Sequence, residues 1–356
     1  MNIPFLDLSH QTREIQPQLL ERLKTLTSEN RFIGGAEVED FESSFARFCG
    51  AKKCIALNSG TDALRLALLA CGIKDGDEVI TSPFTFIATA EAISQTGVPV
   101  FADVDLDTFN LSVESVRGCI SAKTRALVPV HIFGLPADMT AFGALAAAKR
   151  FAVVEDACQA HGAAIGDKKA GSFGNAAAFS FYPSKNLGAF GDAGAVTTSD
   201  PECDSSIRLL RNHGQTGPYF HQQEGYNSRM DTMQAAVLNL KLPLLEQWNE
   251  ERQRLAGIFR EELEGLSEVR FQKIPEGYVH AFHIVAALVE DREQLMSFLL
   301  ENGVDVKIVY PTPIHLLPAY SYLGHREGDF PNSEEIARRV LCFPAYPGMG
   351  DDKAYE

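Results

Sequence analysis

The 356-residue chain is 45% hydrophobic and 22% charged, which suits a globular protein with a large core and more than one domain. Its formal net charge of -15 excludes a general polyanion-binding surface, so nucleic acid is not expected as a partner, whereas one small anionic ligand in a local cationic pocket is compatible with it. Seven scattered cysteines without C-x-x-C spacing exclude a zinc knuckle and a disulfide frame, no metal is expected, and the lack of an apolar run of about 20 residues or a secretory start points to the cytoplasm.

Residues 1 to 50 read as a leading arm with an amphipathic helix near 37 to 49. From about 53 to 198, β-rich runs alternate with helical ones: "KCIALN", "TDALRLALLACG", "DEVITS", "IATAEAISQTG", "VPVFADV", "ALVPVHIFG", "MTAFGALAAAKR" and "FAVVEDA". This alternation predicts an α/β fold with a mostly parallel sheet between helices. The runs "AAAFSFY" (176 to 182) and "GAVTTS" (194 to 199) have no helix between them, which breaks the simple winding. A helical stretch from about Asp231 to Leu266, interrupted at Pro243, leads out of the large domain. Beyond it "YVHAFHIVAALV", "DREQLMSFLLENG" and "VDVKIVY" read as strand, helix and strand of a smaller C-terminal α+β unit. The expected division is 1–240 and 241–356.

Three motifs bear on chemistry. "ALNSGTDALRLAL" puts Ser59, Gly60 and Thr61 between a strand end and a helix start, where free amides and the helix dipole attract a phosphate; simple helix capping by Ser59 or Thr61 is the competing reading. "FAVVEDACQAHGA" ends a strand in Glu155 and Asp156, at the edge where open α/β sheets hold ligands. A carboxylate there suits a protonated ring nitrogen, or else it only caps a turn, and Gln159 lies three residues on. "FYPSKNLGAFGDAGAV" holds Lys185 in a turn followed by Gly188, Gly191 and Gly194. A desolvated lysine sheds its proton and becomes a Schiff-base nucleophile, and glycines let backbone approach a flat ligand. The G-x-x-G-x-x-G spacing before a strand argues against a dinucleotide fingerprint.

A phosphate nest, a ring-nitrogen carboxylate and a strand-end lysine form the set that pyridoxal phosphate requires. Through "NSGTDAL", "DEVITSPFTFIATAEAI", "VEDACQAHGA", "FSFYPSKNLGAFGDAGA", "LRNHGQ" and "GYNSRMDTMQAAVL", the sequence resembles the DegT/StrS family of fold-type I, pyridoxal-phosphate-dependent sugar aminotransferases. The resemblance runs over roughly residues 30 to 245 and continues more weakly through "YPTPIHLLPAY". It implies a fold-type I large domain with a smaller C-terminal one. Residue by residue, it implies that Lys185 carries pyridoxal 5'-phosphate and Asp156 pairs with the ring nitrogen. Gln159 touches the ring hydroxyl, while Gly60, Thr61 and Ser180 hold the phosphate, joined by Asn227 from a neighbouring subunit of a homodimer. An aromatic of "PFTFIA" stacks on the ring, Phe86 in preference to Phe84. Arg229, Tyr310 and His315 fall on the substrate side, Arg229 facing a diphosphate.

The implied reaction carries an amino group from glutamate to a nucleotide-linked keto-sugar, 3-keto in preference to 4-keto, in amino-sugar and surface-polysaccharide biosynthesis, with the cofactor cycling through pyridoxamine 5'-phosphate. Two rivals use the same pocket: a sugar dehydratase, in which a histidine replaces Lys185, and a non-catalytic regulator that binds the cofactor or a sugar nucleotide. Val309 stands where many relatives have a histidine before the tyrosine, and "LCFPAYPGMGDDKAYE" stops about where relatives begin a final helix.

Overall fold

A computed structural model describes residues 2–355. Its main sheet has seven strands, in spatial order Lys53–Leu57, Gly194–Thr198, Ala176–Ser180, Ala152–Asp156, Thr124–Val128, Glu78–Thr81 and Val98–Phe101. Strands from Ala176–Ser180 outward to Val98–Phe101 run parallel, whereas Gly194–Thr198 is antiparallel to both of its neighbours. The break in winding expected between 182 and 194 is this reversal, and Ser180 pairs with Gly194 across it. Lys185 therefore sits in the connection between two paired strands.

Side chains on this sheet alternate between two cores, as a period of two requires. Ala177, Phe179 and Ala195 point into one, with Phe41 and Phe45 of helix Ala36–Cys49. Ala176, Ala178 and Val196 point into the other, with Leu64, Leu66 and Leu68 of helix Gly60–Ala70. Phe45 meets Phe179 edge-on at 4.9 Å, and Phe41 meets Phe181 at 5.2 Å. Burial of each such ring contributes about 2 kcal/mol before the entropic cost of ordering it. Almost every residue of the central strands is inside, so they read as apolar runs.

A second sheet is antiparallel throughout, in the order Val269–Phe271, Val285–Val289 and Val340–Phe343. Three sequence expectations change here. "VDVKIVY" forms only isolated bridges at Val304 and Lys307, and the third strand comes instead from "VLCF". The run "YVHAFHIVAALV" splits: Tyr278–Val279 pairs with Ala164–Ile165, and only Val285–Val289 enters the second sheet. The leading arm contains a helix, Ser9–Ser28, whose buried Ile15 and Leu19 pack on Val237. Its apolar positions are too sparse to stand out in the sequence. Ile3 bridges Val304 and packs into the core of the second sheet. The helix expected to be interrupted at Pro243 is two, Thr232–Lys241 and Leu245–Glu262, joined by a 3-10 turn at Leu242–Leu244. Among the described residues no helix is long and apolar enough to cross a membrane.

Candidate active site

Strand Ala152–Asp156 ends in two buried carboxylates that the backbone sends to opposite sides. Glu155 accepts from the amides of Gly171, Phe173 and Gly174 and from His131 Nε2 at 3.1 Å, so its oxygens are committed to the fold. His131 Nδ1 accepts from the Ala137 amide, which places the ring proton on Nε2. Asp156 instead lines a cavity of about 350 Å³. Its Oδ2 accepts from Thr89 Oγ1 at 2.7 Å and its Oδ1 from the Cys158 amide at 3.2 Å. The motif alone did not choose between the two carboxylates, the resemblance implied Asp156, and burial of Glu155 among four donors is the physical difference between them.

Lys185 reaches the same cavity from a turn closed by its own amide on the Tyr182 carbonyl at 2.8 Å. Burial pulls its pKa below the usual lysine value, opposed by the nearby Cys158 and Asp156. Ser59, Gly60 and Thr61 also line the cavity. Ser59 caps helix Gly60–Ala70, its Oγ accepting from the Asp62 amide at 3.1 Å. The first two helical amides, Gly60 and Thr61, have no intrahelical acceptor and lie at the positive end of the helix dipole. Thus capping and an anion cradle coexist, because they use different donors.

The glycines after Lys185 press on protein, not on the cavity, contrary to the expectation that they admit a flat ligand. A Cβ on Gly188 would lie 2.3 Å from the Pro183 carbonyl oxygen, and one on Gly194 would lie 2.2 Å from that of Ser59. A Cβ on Gly191 would lie 2.9 Å from Gln234 Nε2. The lost bulk lets the lysine loop fold back on itself and lets the strand pass under the Ser59–Gly60 turn.

Gln159 Oε1 accepts from the Phe133 amide at 2.7 Å, and its Nε2 donates to Tyr310 Oη at 3.0 Å. One Nε2 hydrogen remains to be given. Burial pushes the Tyr310 hydroxyl pKa upward. Phe86 is 55% exposed and lines the cavity, its ring 6.2 Å from that of Tyr310, whereas Phe84 is 1% exposed and packs edge-on against Phe133. Ser180 also lines the cavity.

A model of the DegT/DnrJ/EryC1/StrS aminotransferase family matches residues 13–356. The chain belongs to this family. The aminotransferase is 42% identical to a dTDP-3-amino-3,4,6-trideoxy-alpha-D-glucose transaminase of Streptomyces venezuelae, over 98% of this chain and 92% of that protein. It is 40% identical to a protein of Geobacillus stearothermophilus called a pleiotropic regulatory protein, over 99% and 96% of the two chains. Among solved structures, S. venezuelae DesV in complex with a ketimine intermediate superposes with a TM-score of 0.97 at 41% identity, covering 99% of this chain and 95% of that one. NtdA of Bacillus subtilis with bound cofactor PMP superposes with a TM-score of 0.92 at 29% identity, covering 99% and 83%.

Three of the expected site residues lie outside the cavity of the aminotransferase. His315, expected on the substrate side, is buried beside Phe330, with Nε2 on Glu334 Oε1 at 3.0 Å, and does not line the cavity. Arg229 donates to Asn212 Oδ1 at 2.7 Å and lines a separate pocket with Arg208 and Arg211. Asn227 is exposed and bridges Asn212. Conversely, the cavity wall includes Thr89, Cys158, Tyr182, Ser184 and Asp192, which sequence reasoning missed. For Thr89 a signal existed: Thr85 and Thr89, four apart in an otherwise apolar stretch, are joined at 3.0 Å.

Proposed function

We propose that the chain is a pyridoxal-phosphate-dependent transaminase that moves an amino group from glutamate to a nucleotide-linked keto-sugar, with the 3-keto isomer favoured. The carrying observation is that Lys185, Asp156 and the unpaired amides of Gly60 and Thr61 line one cavity.

These residues fit the cofactor. The Gly60–Thr61 amides and Ser180 would take its phosphate, Asp156 its ring nitrogen, Phe86 its ring face, and the spare hydrogen of Gln159 Nε2 its ring hydroxyl. When bound, pyridoxal phosphate supplies an aldehyde that accepts the amino group and, as pyridoxamine phosphate, returns it, with a protonated ring that withdraws electrons from the reacting carbon. The chain supplies the rest. Hydrogen bonds from Thr89 Oγ1 and the Cys158 amide fix the Asp156 carboxyl group on the cavity wall, where a carboxylate would favour a protonated ring. Lys185 Nζ, whose protonation burial disfavours, would be the group that removes the proton from the alpha carbon of the donor and holds it for return in the reverse half-reaction. Tyr310 and Gln159, hydrogen-bonded to each other, line the same cavity.

The 3-keto preference is supported by the S. venezuelae relative, whose name places the amine at carbon 3. We further propose a homodimer in which Asn227 and Arg229 serve a neighbouring cavity, since neither lines the cavity of its own chain. The division near residue 240 is retained in this reading, with Ile3 docked on the C-terminal sheet. A regulatory role is the second reading, favoured by the name of the Geobacillus relative. Incubation of the cofactor-loaded chain with glutamate and a panel of nucleotide-linked 3-keto and 4-keto sugars, with mass detection of the amino product, separates the two. Absence of any amino product would support the regulator.

A further inference from the structure

The residue after Lys185 is held unusually completely. Asn186 is 1% exposed and uses every polar valence of its carboxamide within the protein except one acceptor lone pair. Its Nδ2 donates to Asn249 Oδ1 at 2.8 Å and to the Ala281 carbonyl at 2.7 Å. Both amide hydrogens are thereby spent, so its Oδ1 must accept, which puts the His283 proton on Nδ1 at 3.2 Å. Asn249 continues the chain by donating to the His161 carbonyl at 2.7 Å. These partners come from helix Leu245–Glu262, from residues 281–283 and from the segment following Asp156.

We propose that Asn186 is a positioning residue for Lys185: it fastens the lysine turn to helix Leu245–Glu262 and to residues 281–283, and so holds the lysine side chain in the cavity lined by Asp156. The far end of the lysine loop has separate ties. Lys241 Nζ donates to the Gly188 carbonyl at 2.7 Å, and the Phe190 amide donates to Gln234 Oε1 at 2.9 Å. Loss of Asn186 therefore frees the lysine end while the remainder of the loop stays attached. The three partners belong to two elements far apart in sequence, so the carboxamide senses the fit between the second part of the chain and the main sheet. This inference rests on the reading of Lys185 as the cofactor-bearing residue.

The test uses the full chain and pyridoxal phosphate. Borohydride reduction with peptide mapping first asks whether the wild-type adduct is on Lys185. An adduct elsewhere overturns that reading, and this one with it. Asn186→Ala is then expected to keep its circular dichroism but to bind pyridoxal phosphate about tenfold more weakly and to trap it at Lys185 more slowly, the scale set by losing a buried hydrogen-bond partner. Lys241→Met should lower the melting point without changing the trapping rate. If Asn186→Ala also lowers only the melting point, the positioning role is overturned. Should Asn186→Ala not fold, Asn249→Ala and His283→Phe each remove one of the Asn186 bonds, the former together with the bond to the His161 carbonyl. Slower trapping in both supports the proposal, and wild-type trapping in either overturns it.

Discussion

Thr89 Oγ1 donates to Asp156 Oδ2 at 2.7 Å, while Thr85 Oγ1 lies 3.0 Å from Thr89, so the carboxylate on the cavity wall is held by a hydroxyl from helix Ile87–Ser94. A hydrogen bond to a charged group is worth about 1.5–3 kcal/mol. Thr89→Val should therefore weaken cofactor binding about tenfold or more, and Thr89→Ser should restore most of it. Equilibrium dialysis with pyridoxal phosphate measures both. Equal affinity in Thr89→Val and the wild type would show that the bond does not tune Asp156.

Removal of the amine at Lys185 takes away the group assigned to proton transfer. Lys185→Ala should stay folded and bind some cofactor, yet lose turnover by about a hundredfold or more, the scale of general-base catalysis. A single-turnover assay with glutamate reads this directly. Unchanged turnover would remove the lysine from the mechanism.

Asp156→Asn keeps the shape of the side chain and removes its charge. The expected loss is about 10²–10³-fold in rate, because an amide cannot balance a protonated ring. Since Thr89 and Cys158 donate to carboxylate oxygens, the amide also puts a donor against one of them. Wild-type rate in this variant would falsify the pairing.

Gly194→Ala forces a methyl against the Ser59 carbonyl oxygen at 2.2 Å. Overpacking of this kind costs about 1–3 kcal/mol, and the shift falls on the turn that leads into helix Gly60–Ala70. Thermal unfolding should show a lowered midpoint, with weaker cofactor binding beside it. Gly217→Ala, which meets nothing within 4 Å, serves as the near-neutral control.

Burial lowers the pKa of His161 and His280 from the ordinary histidine value of about 6.5 to about 3 each. Between those values the unfolded chain binds protons that the folded chain refuses, so stability rises with pH across that window and is lost as pH falls through it. The slope is about 1.4 kcal/mol per pH unit for each such histidine. Denaturant unfolding from pH 7 to pH 5 should show this loss. His161→Phe should flatten the profile, because it removes one of the groups that binds a proton only in the unfolded chain across this window. An unchanged slope in that variant would contradict a buried neutral His161.

Much of the frame was legible in the sequence because it rests on local patterns. Apolar runs ending in polar residues marked the buried strands, and the missing helix between 182 and 194 marked the antiparallel reversal. The second sheet was less legible. Its strands are short, and "VDVKIVY" has the composition of a strand but finds no continuous partner, since Val340–Phe343 pairs with Val285–Val289 instead. Strand identity there depends on which backbone is left to pair, a nonlocal property.

By itself the sequence determined that a lysine, two carboxylates and a helix start fall at the ends of buried strands, because hydrophobic periodicity and chain punctuation are local. The residue pattern alone did not separate Glu155 from Asp156 or Phe84 from Phe86, and the family resemblance named Asp156 and preferred Phe86; the tertiary structure adds the physical reason for each difference and takes His315 out of the cavity. Each of those outcomes turns on which distant groups arrive to satisfy or bury a side chain: the Gly171, Phe173 and Gly174 amides, the Phe133 ring and Glu334. A polar or aromatic residue carries no local mark of such partners.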